Sequence, residues 1–250
     1  MIQLRSISTL GDKGPVLRGI DLVFPPCGVS MLIGTSGSGK STILRALAGS
    51  EPIDSGEIAG LPRDSCLVLQ EPSLWPHLSL VSNVALGLKL RRGQEHGDAL
   101  RIAQRALAEM GLESFGQSAP ATLSGGQAQR GAIARALVLD PELLLLDEVT
   151  SSLDPRLTHQ VMQTIGEFAS RKPVIMATHD LLLAREVAAF VAVIDDGQLV
   201  ESGPPARVFQ SPRDPRTASF VAPIMRLVGR GSRQRSALIE PVERAITSQS

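Results

Sequence analysis

The residues Gly34-Thr35-Ser36-Gly37-Ser38-Gly39-Lys40-Ser41-Thr42 fit the spacing G-x-x-x-x-G-K-[ST]. Glycines let such a loop turn tightly and bring backbone N–H groups against phosphate oxygens. Lys40 then reaches the β- and γ-phosphates of a nucleotide, and the Ser41 hydroxyl sits on Mg²⁺. A site of this kind needs a carboxylate for its metal. Leu143-Leu144-Leu145-Leu146-Asp147-Glu148 supplies one at the end of an apolar run. Asp147 is read as the metal-side carboxylate, and Glu148 as the base that orients or deprotonates the attacking water. Gln70 and His179 each follow a further apolar run, residues 66–69 and 174–178, which places both to face the same metal or water. A second glycine-rich segment, Leu123-Ser124-Gly125-Gly126-Gln127, puts a hydroxyl and free N–H groups at the positive end of a helical stretch, residues 128–139. Taken alone, it fits a plain loop before a helix as well as a phosphate binder.

The elements that must position these groups form an α/β pattern. Residues 29–33 read as a buried strand entering the 34–42 loop, and residues 43–48 continue from it as a helix. Four leucines at 143–146 read as a strand buried on both faces of a parallel sheet. Residues 174–178 repeat the pattern, so the candidate groups gather at the carboxyl edge, where open α/β sheets bind ligands. Residues 1–70 are strand-rich around the loop, and a helix-rich insertion spans about residues 71–139. In it, Leu100, Ala103, Leu107 and Met110 keep helical spacing, with Gly111 placed as a C-terminal cap. Residues 191–194 and 198–200, joined through Asp195-Asp196-Gly197, predict a hairpin. No internal repeat appears.

With these motifs in their order, the chain resembles the ATP-binding cassette subunit of ABC transporters over residues 2–221. The resemblance identifies Gly34–Thr42 as Walker A, Gln70 as the Q-loop, Leu123–Gln127 as the LSGGQ motif and Leu143–Glu148 as Walker B. Ser151-Ser152-Leu153-Asp154 becomes the D-loop, and His179 the switch histidine. It implies a P-loop NTPase core with a mostly parallel sheet, an N-terminal antiparallel β portion and a helical ABC-specific insertion. ATP and Mg²⁺ are the implied cofactors, with Ser41, Gln70 and Asp147 around the metal. It also implies that two cassettes pair head to tail, so that Ser124, Gly125, Gly126 and Gln127 close on a nucleotide held by the partner. Asp154 would then lie near the dimer axis. Further implied partners are transmembrane permease subunits and an extracytoplasmic solute-binding protein, with the chain peripheral on the cytoplasmic face of the membrane. Residues 210–217 look like the end of importer cassettes for polar amino acids. The alternatives are an exporter cassette, which commonly has its membrane segment fused, and a soluble ABC-type ATPase, which usually carries two cassettes or a long heptad insertion.

Some positions depart from the family pattern. The chain has no Tyr, and the region where an aromatic usually stacks on adenine reads Ser8-Thr9-Leu10-Gly11-Asp12. Leu10 offers only apolar contact, so weaker or less base-selective nucleotide binding is expected. Val149 stands where proline is common, and Gly131 interrupts a helix, at a cost of about 0.5–1 kcal/mol against alanine.

Composition sets the outer limits. Zero formal net charge gives no electrostatic case for nucleic-acid binding. Cys27 and Cys66 are too few for a disulfide framework and fit buried residues of a cytosolic protein. The start lacks the plan of a signal peptide, and no stretch approaches the roughly 18–20 apolar residues that span a bilayer. Trp75, between Pro72 and Pro76, is read either as loop packing or, on the resemblance, as a surface receiving a short helix from a membrane subunit. The cassette is expected to end at residue 222, followed by a basic, partly disordered tail over 223–250 that carries Arg226, Arg230, Arg233 and Arg235.

Overall fold

The computed structural model describes residues 1–12 and 14–226. Two sheets organise it. Strands β1 (Ile2–Gly11), β2 (Gly14–Phe24) and β4 (Ser55–Ala59) form an antiparallel sheet in the order β2-β1-β4. The larger sheet also contains β3 (Gly28–Ile33), β5 (Ser65–Val68), β6 (Leu143–Asp147), β7 (Pro173–Ala177), β8 (Phe190–Asp195) and β9 (Gln198–Gly203). Its order is β5-β6-β7-β3-β8-β9, parallel throughout except for β9, which closes the expected hairpin against β8.

Leucines at 143–146 are all fully buried because they serve two cores. Leu144 and Leu146 pack beneath the helical side, whereas Leu143 and Leu145 pack toward the antiparallel sheet and helix α1 (Lys40–Leu47). Strands β3, β7 and β8 alternate in the same way, with Met31, Met176 and Val193 on one face and Leu32, Ile175 and Ile194 on the other. This two-sided burial fixes the register, since a one-residue slip would exchange the faces of every side chain.

The insertion holds α2 (Leu80–Arg92), α3 (His96–Glu109) and α4 (Gly125–Leu137). Gly111, in the left-handed conformation at φ 64°, follows the C-cap of α3 as expected. Helices α5 (Pro155–Ala169), α6 (Leu181–Val187) and α7 (Pro205–Gln210) complete the core. A last helix covers residues 215–226, so the expected boundary at 222 falls inside it. Arg230, Arg233 and Arg235 lie outside the described residues.

Two sequence expectations change here. Cys27 is exposed on the turn between β2 and β3, because Pro25 and Pro26 carry the chain out of the core before it. Gly131 is more than a tolerated defect of α4. A Cβ there would lie 2.5 Å from Leu80 Cδ1, and Leu80 is wholly buried. The missing methyl lets α4 approach α2 closely. Gly131→Ala should therefore destabilise the protein by about 1–3 kcal/mol, because overpacking outweighs the roughly 1 kcal/mol gain in helix propensity. Urea denaturation monitored by circular dichroism checks the sign; a stabilised variant would contradict this packing.

Candidate active site

The 34–42 loop leaves the carboxyl end of β3, the strand at which the winding of the large sheet reverses. Glycine is required at two of its positions for space as well as conformation. A Cβ on Gly34 would meet the Ile194 carbonyl oxygen at 2.0 Å, and one on Gly39, at φ 105°, would meet Leu17 Cδ2 at 2.7 Å. Lys40 is 5 % exposed and donates to the carbonyl oxygens of Gly34 (2.9 Å) and Thr35 (2.8 Å). These contacts hold the ammonium under the loop. Burial pushes its pKa down, opposed by the negative charges of Glu148 and Asp147.

Two strands away, at the end of β6, Asp147 Oδ1 accepts a hydrogen bond from the Ser41 hydroxyl at 2.9 Å. Asp147 is nearly sealed from solvent, and burial pushes its carboxyl pKa up, against the hydrogen bond from Ser41. A hydroxyl beside a carboxylate offers hard oxygen donors suited to Mg²⁺, which takes few protein ligands and completes its octahedron with water and phosphate. The described residues contain no cluster of three or more His, Cys, Asp or Glu that could hold a metal by itself. The donor set therefore fits a magnesium ion shared with nucleotide phosphates.

Glu148 follows directly and adopts φ 48°, a left-handed conformation that costs a non-glycine residue energy. Its N–H donates to the Ala177 carbonyl at 3.0 Å, and the bent backbone turns the carboxylate to within 3.2 Å of His179 Nδ1. His179 is placed between the end of β7 and the start of α6. The Thr178 N–H donates to the Leu32 carbonyl at 3.1 Å, and Asp180 caps α6 by accepting from the Leu183 N–H at 3.0 Å. The histidine side chain stays 65 % exposed.

The structure thus brings Lys40, Ser41, Asp147, Glu148 and His179 together at one sheet edge. Gln70 stands two residues beyond β5, exposed, and among the described residues no hydrogen bond joins it to Ser41 or Asp147. Ser124 caps α4, and its hydroxyl accepts from the Gln127 N–H at 3.3 Å while Gln127 Oε1 accepts from the Ser124 N–H at 2.8 Å. That capping box occupies the Gln127 amide oxygen. It leaves the Ser124 hydroxyl proton and the N–H groups of Gly125 and Gly126 free to donate. No hydrogen bond links residues 123–127 to residues 34–42. Asp154 is the N-cap of α5, accepting from the Leu157 N–H at 2.9 Å.

Three contacts not foreseen from the sequence knit these motifs together. Buried Gln129 donates to the Leu69 carbonyl at 3.0 Å, tying α4 to the segment that carries Gln70. Buried Arg130 reaches the carbonyls of Gly126 (3.4 Å) and Met110 and feels the charge of Asp154. A Cβ on Gly126 would sit 3.2 Å from both Leu153 Cδ2 and the Ser152 carbonyl oxygen, so the LSGGQ turn packs on its own chain's D-loop. The only sequence signal for the two side-chain contacts was polar residues on an otherwise apolar helix.

The ABC transporter family model matches residues 17–151. The chain belongs to the ABC transporter family. It is 36% identical to the glutamine transport ATP-binding protein GlnQ of Escherichia coli over 236 residues, which cover 88% of this chain and 98% of the relative. It is 41% identical to the aliphatic sulfonates import ATP-binding protein SsuB 2 of Frankia alni over 231 residues, or 91% of each chain. Among solved structures, a dimeric ATP-binding cassette in a post-hydrolysis state with ADP and Pi superimposes with a TM-score of 0.75 at 28% identity. That match covers 82% of this chain and 99% of the other. This chain is an ATP hydrolase of that cassette type.

Burial acts against the ionised form of Asp147, which has a stability consequence. A carboxyl whose folded pKa is raised destabilises the fold at pH values above that pKa, and the penalty vanishes as the pH falls below the unfolded value near 4. Asp147→Asn should raise the melting temperature of the nucleotide-free cassette by a few degrees at pH 7, the size expected for about 1 kcal/mol in a domain of this length. The gain should disappear near pH 4, and hydrolysis should be lost. Thermal denaturation at the two pH values tests the sign.

Proposed function

We propose that this cassette is the energising subunit of an importer and that each of its nucleotide sites is completed by a second cassette placed head to tail. The observation carrying this reading is the division of the catalytic groups. Walker A, Asp147, Glu148 and His179 share one sheet edge, whereas the free donors of Ser124, Gly125 and Gly126 bond to none of them. A dimer places those donors on the γ-phosphate held by the other chain. Dimeric cassettes among the structural relatives support the arrangement.

In this reading Lys40 leaves the Gly34 and Thr35 carbonyls to meet the β- and γ-phosphates. Ser41, Asp147 and Gln70 would hold Mg²⁺, which would supply charge neutralisation for the phosphates. Glu148 orients the water in line with the γ-phosphorus, and His179 holds the Glu148 carboxylate in place. Asp154 sits at the pairing axis, where capping α5 uses only one of its carboxylate oxygens. Gln70 approaches the metal through its segment, which Gln129 anchors to α4.

No described helix is long and apolar enough to cross a membrane. In this reading, which the import ATP-binding relatives support, the cassette works as a peripheral subunit on the cytoplasmic face, beneath a separate permease served by a solute-binding protein. The permease contact we favour is a groove of about 280 Å³ lined by Trp75, Leu86, Leu90, Arg91, Arg135 and Leu139. The Arg135 guanidinium stacks on Trp75 at 4.9 Å. Fully buried Asn83 braces the turn by bonding the N–H and carbonyl of Trp75 and the carbonyls of Leu78 and Ser79. Trp75 stays 40% exposed, which favours docking over loop packing. The cargo is a small polar solute. Amino-acid importers such as GlnQ favour an amino acid, while the sulfonate importer at higher identity supports an organic anion as the second reading.

Glu148→Gln with MgATP should produce a stable dimer in gel filtration with light scattering; a monomer at saturating nucleotide would sink the pairing. Ser124→Arg should abolish hydrolysis while nucleotide binding, measured by calorimetry, stays within about threefold, since losing a partner's contact leaves most of the binding free energy in place. Trp75→Ala should reduce vesicle uptake in the assembled transporter while basal hydrolysis is retained. Normal uptake by that variant would remove the groove from the docking surface.

A further inference from the structure

Among the described residues two cationic side chains are buried, Lys40 and Arg130. Lys40 belongs to the phosphate loop, whereas the charge of Arg130 has no part in the chemistry assigned so far. Arg130 stands one helical turn after Gly126, and side chains on a helix lean toward its N-terminus. Its guanidinium therefore lies along the first turn of α4, with Nε donating to the Gly126 carbonyl at 3.4 Å. Nη1 donates across to the turn after α3, to the carbonyls of Met110 and, at 3.5 Å, of Gly111. A Cβ on Gly111 would lie 3.3 Å from the same Nη1, so the turn closes tightly on the guanidinium. Gly126 also packs on Leu153 and the Ser152 carbonyl oxygen. The LSGGQ turn is thus bounded by the arginine and by its own D-loop.

None of the ion pairs among the described residues includes Arg130. Its acceptors are neutral carbonyls, and Asp154, the cap of α5, is the carboxylate whose charge it feels. A guanidinium stays protonated inside a protein. A positive charge without a bonded counter-ion therefore stands beside the first turn of α4. The N-terminus of a helix is itself partly positive, and buried charges act more strongly than charges in water. Both pull in the same direction on an anion held in front of Ser124, Gly125 and Gly126. Among the described residues no hydrogen bond joins Arg130 to residues 34–42 of its own chain.

We infer that Arg130 is a positioning residue for the partner chain's nucleotide: it fixes the first turn of α4 and lends its charge to the donors that meet the γ-phosphate. This role rests on the head-to-tail pairing proposed above. Arg130→Lys keeps the charge, and Arg130→Gln keeps a donor without it. In the full chain, assayed below the melting temperature of every variant, Arg130→Gln should lower kcat for MgATP by about tenfold. That is less than the loss of an oxyanion donor itself, because Arg130 acts through the donors. Calorimetric binding of MgADP to the variant's own Walker A loop should not change. Arg130→Lys should stay within about threefold of the unaltered chain, since a point charge remains. Equal losses in the two variants, or none in Arg130→Gln, overturn the inference. Mixing then tells which chain Arg130 serves. Arg130→Gln combined with Lys40→Ala forms mixed dimers in which one site has both an intact Walker A loop and an intact facing turn. The mixture should hydrolyse faster than the summed rates of the separate variants. No gain from this pair, where Ser124→Arg combined with Lys40→Ala does gain, means that Arg130 serves its own chain and overturns the inference. No gain from either pair brings down the head-to-tail pairing itself.

Discussion

The hydrogen bond from Ser41 to Asp147 joins the first residues of α1 to the end of β6 across 106 positions of sequence. It is the point on which the active edge depends. Asp147 lies in an interior that disfavours its charge, and the neighbouring Lys40 lies in one that disfavours its own. Each is tolerable because hydrogen-bonding partners compensate it and because the opposite charge is near. The parallel sheet supplies that environment by burying both faces of β3, β6 and β7 and ending all three strands at the same level. The Asp147–Ala177 and Leu32–Ala177 pairings in the ladder set that level.

Much of this was legible beforehand because it is written in short, local patterns. The loop at 34–42, the four leucines before Asp147 and the hairpin after Ile194 each need only neighbours in sequence to be read. What escaped depends on which surfaces meet. Gly131 looked like a weak point of a helix until Leu80 was found in the space above it. Gln129 and Arg130 drew no reading from the sequence, yet both are buried against carbonyls of distant segments. Cys27 was misread because a small apolar residue next to a strand resembles core, and only the path of the chain after Pro25 and Pro26 shows otherwise.

These cross-segment contacts give the molecule its mechanical character. The LSGGQ turn, the D-loop and the end of α3 are gathered around Arg130, and the Gln70 segment is held to the same helix by Gln129. A displacement of the helical insertion therefore moves the donors offered to the partner together with the segment nearest the metal. The Trp75 turn is braced by Asn83 on α2 and stacked against Arg135 on α4, which places it on the same body. Coupling between a docking surface and a catalytic edge can be carried by rigid displacement of packed helices, with no separate wire between them.

The left-handed backbone at Glu148 narrows what evolution can place there. A β-branched or bulky side chain would find φ 48° prohibitive, which removes most of the alphabet. Asparagine, aspartate and glycine would relax the backbone, but each is too short to span to the imidazole of His179. Glutamine alone keeps both reach and conformational cost while lacking the charge. The position is thus confined from two independent directions, one steric and one chemical, so sequence drift at residue 148 yields an inert protein well before it yields an unfolded one.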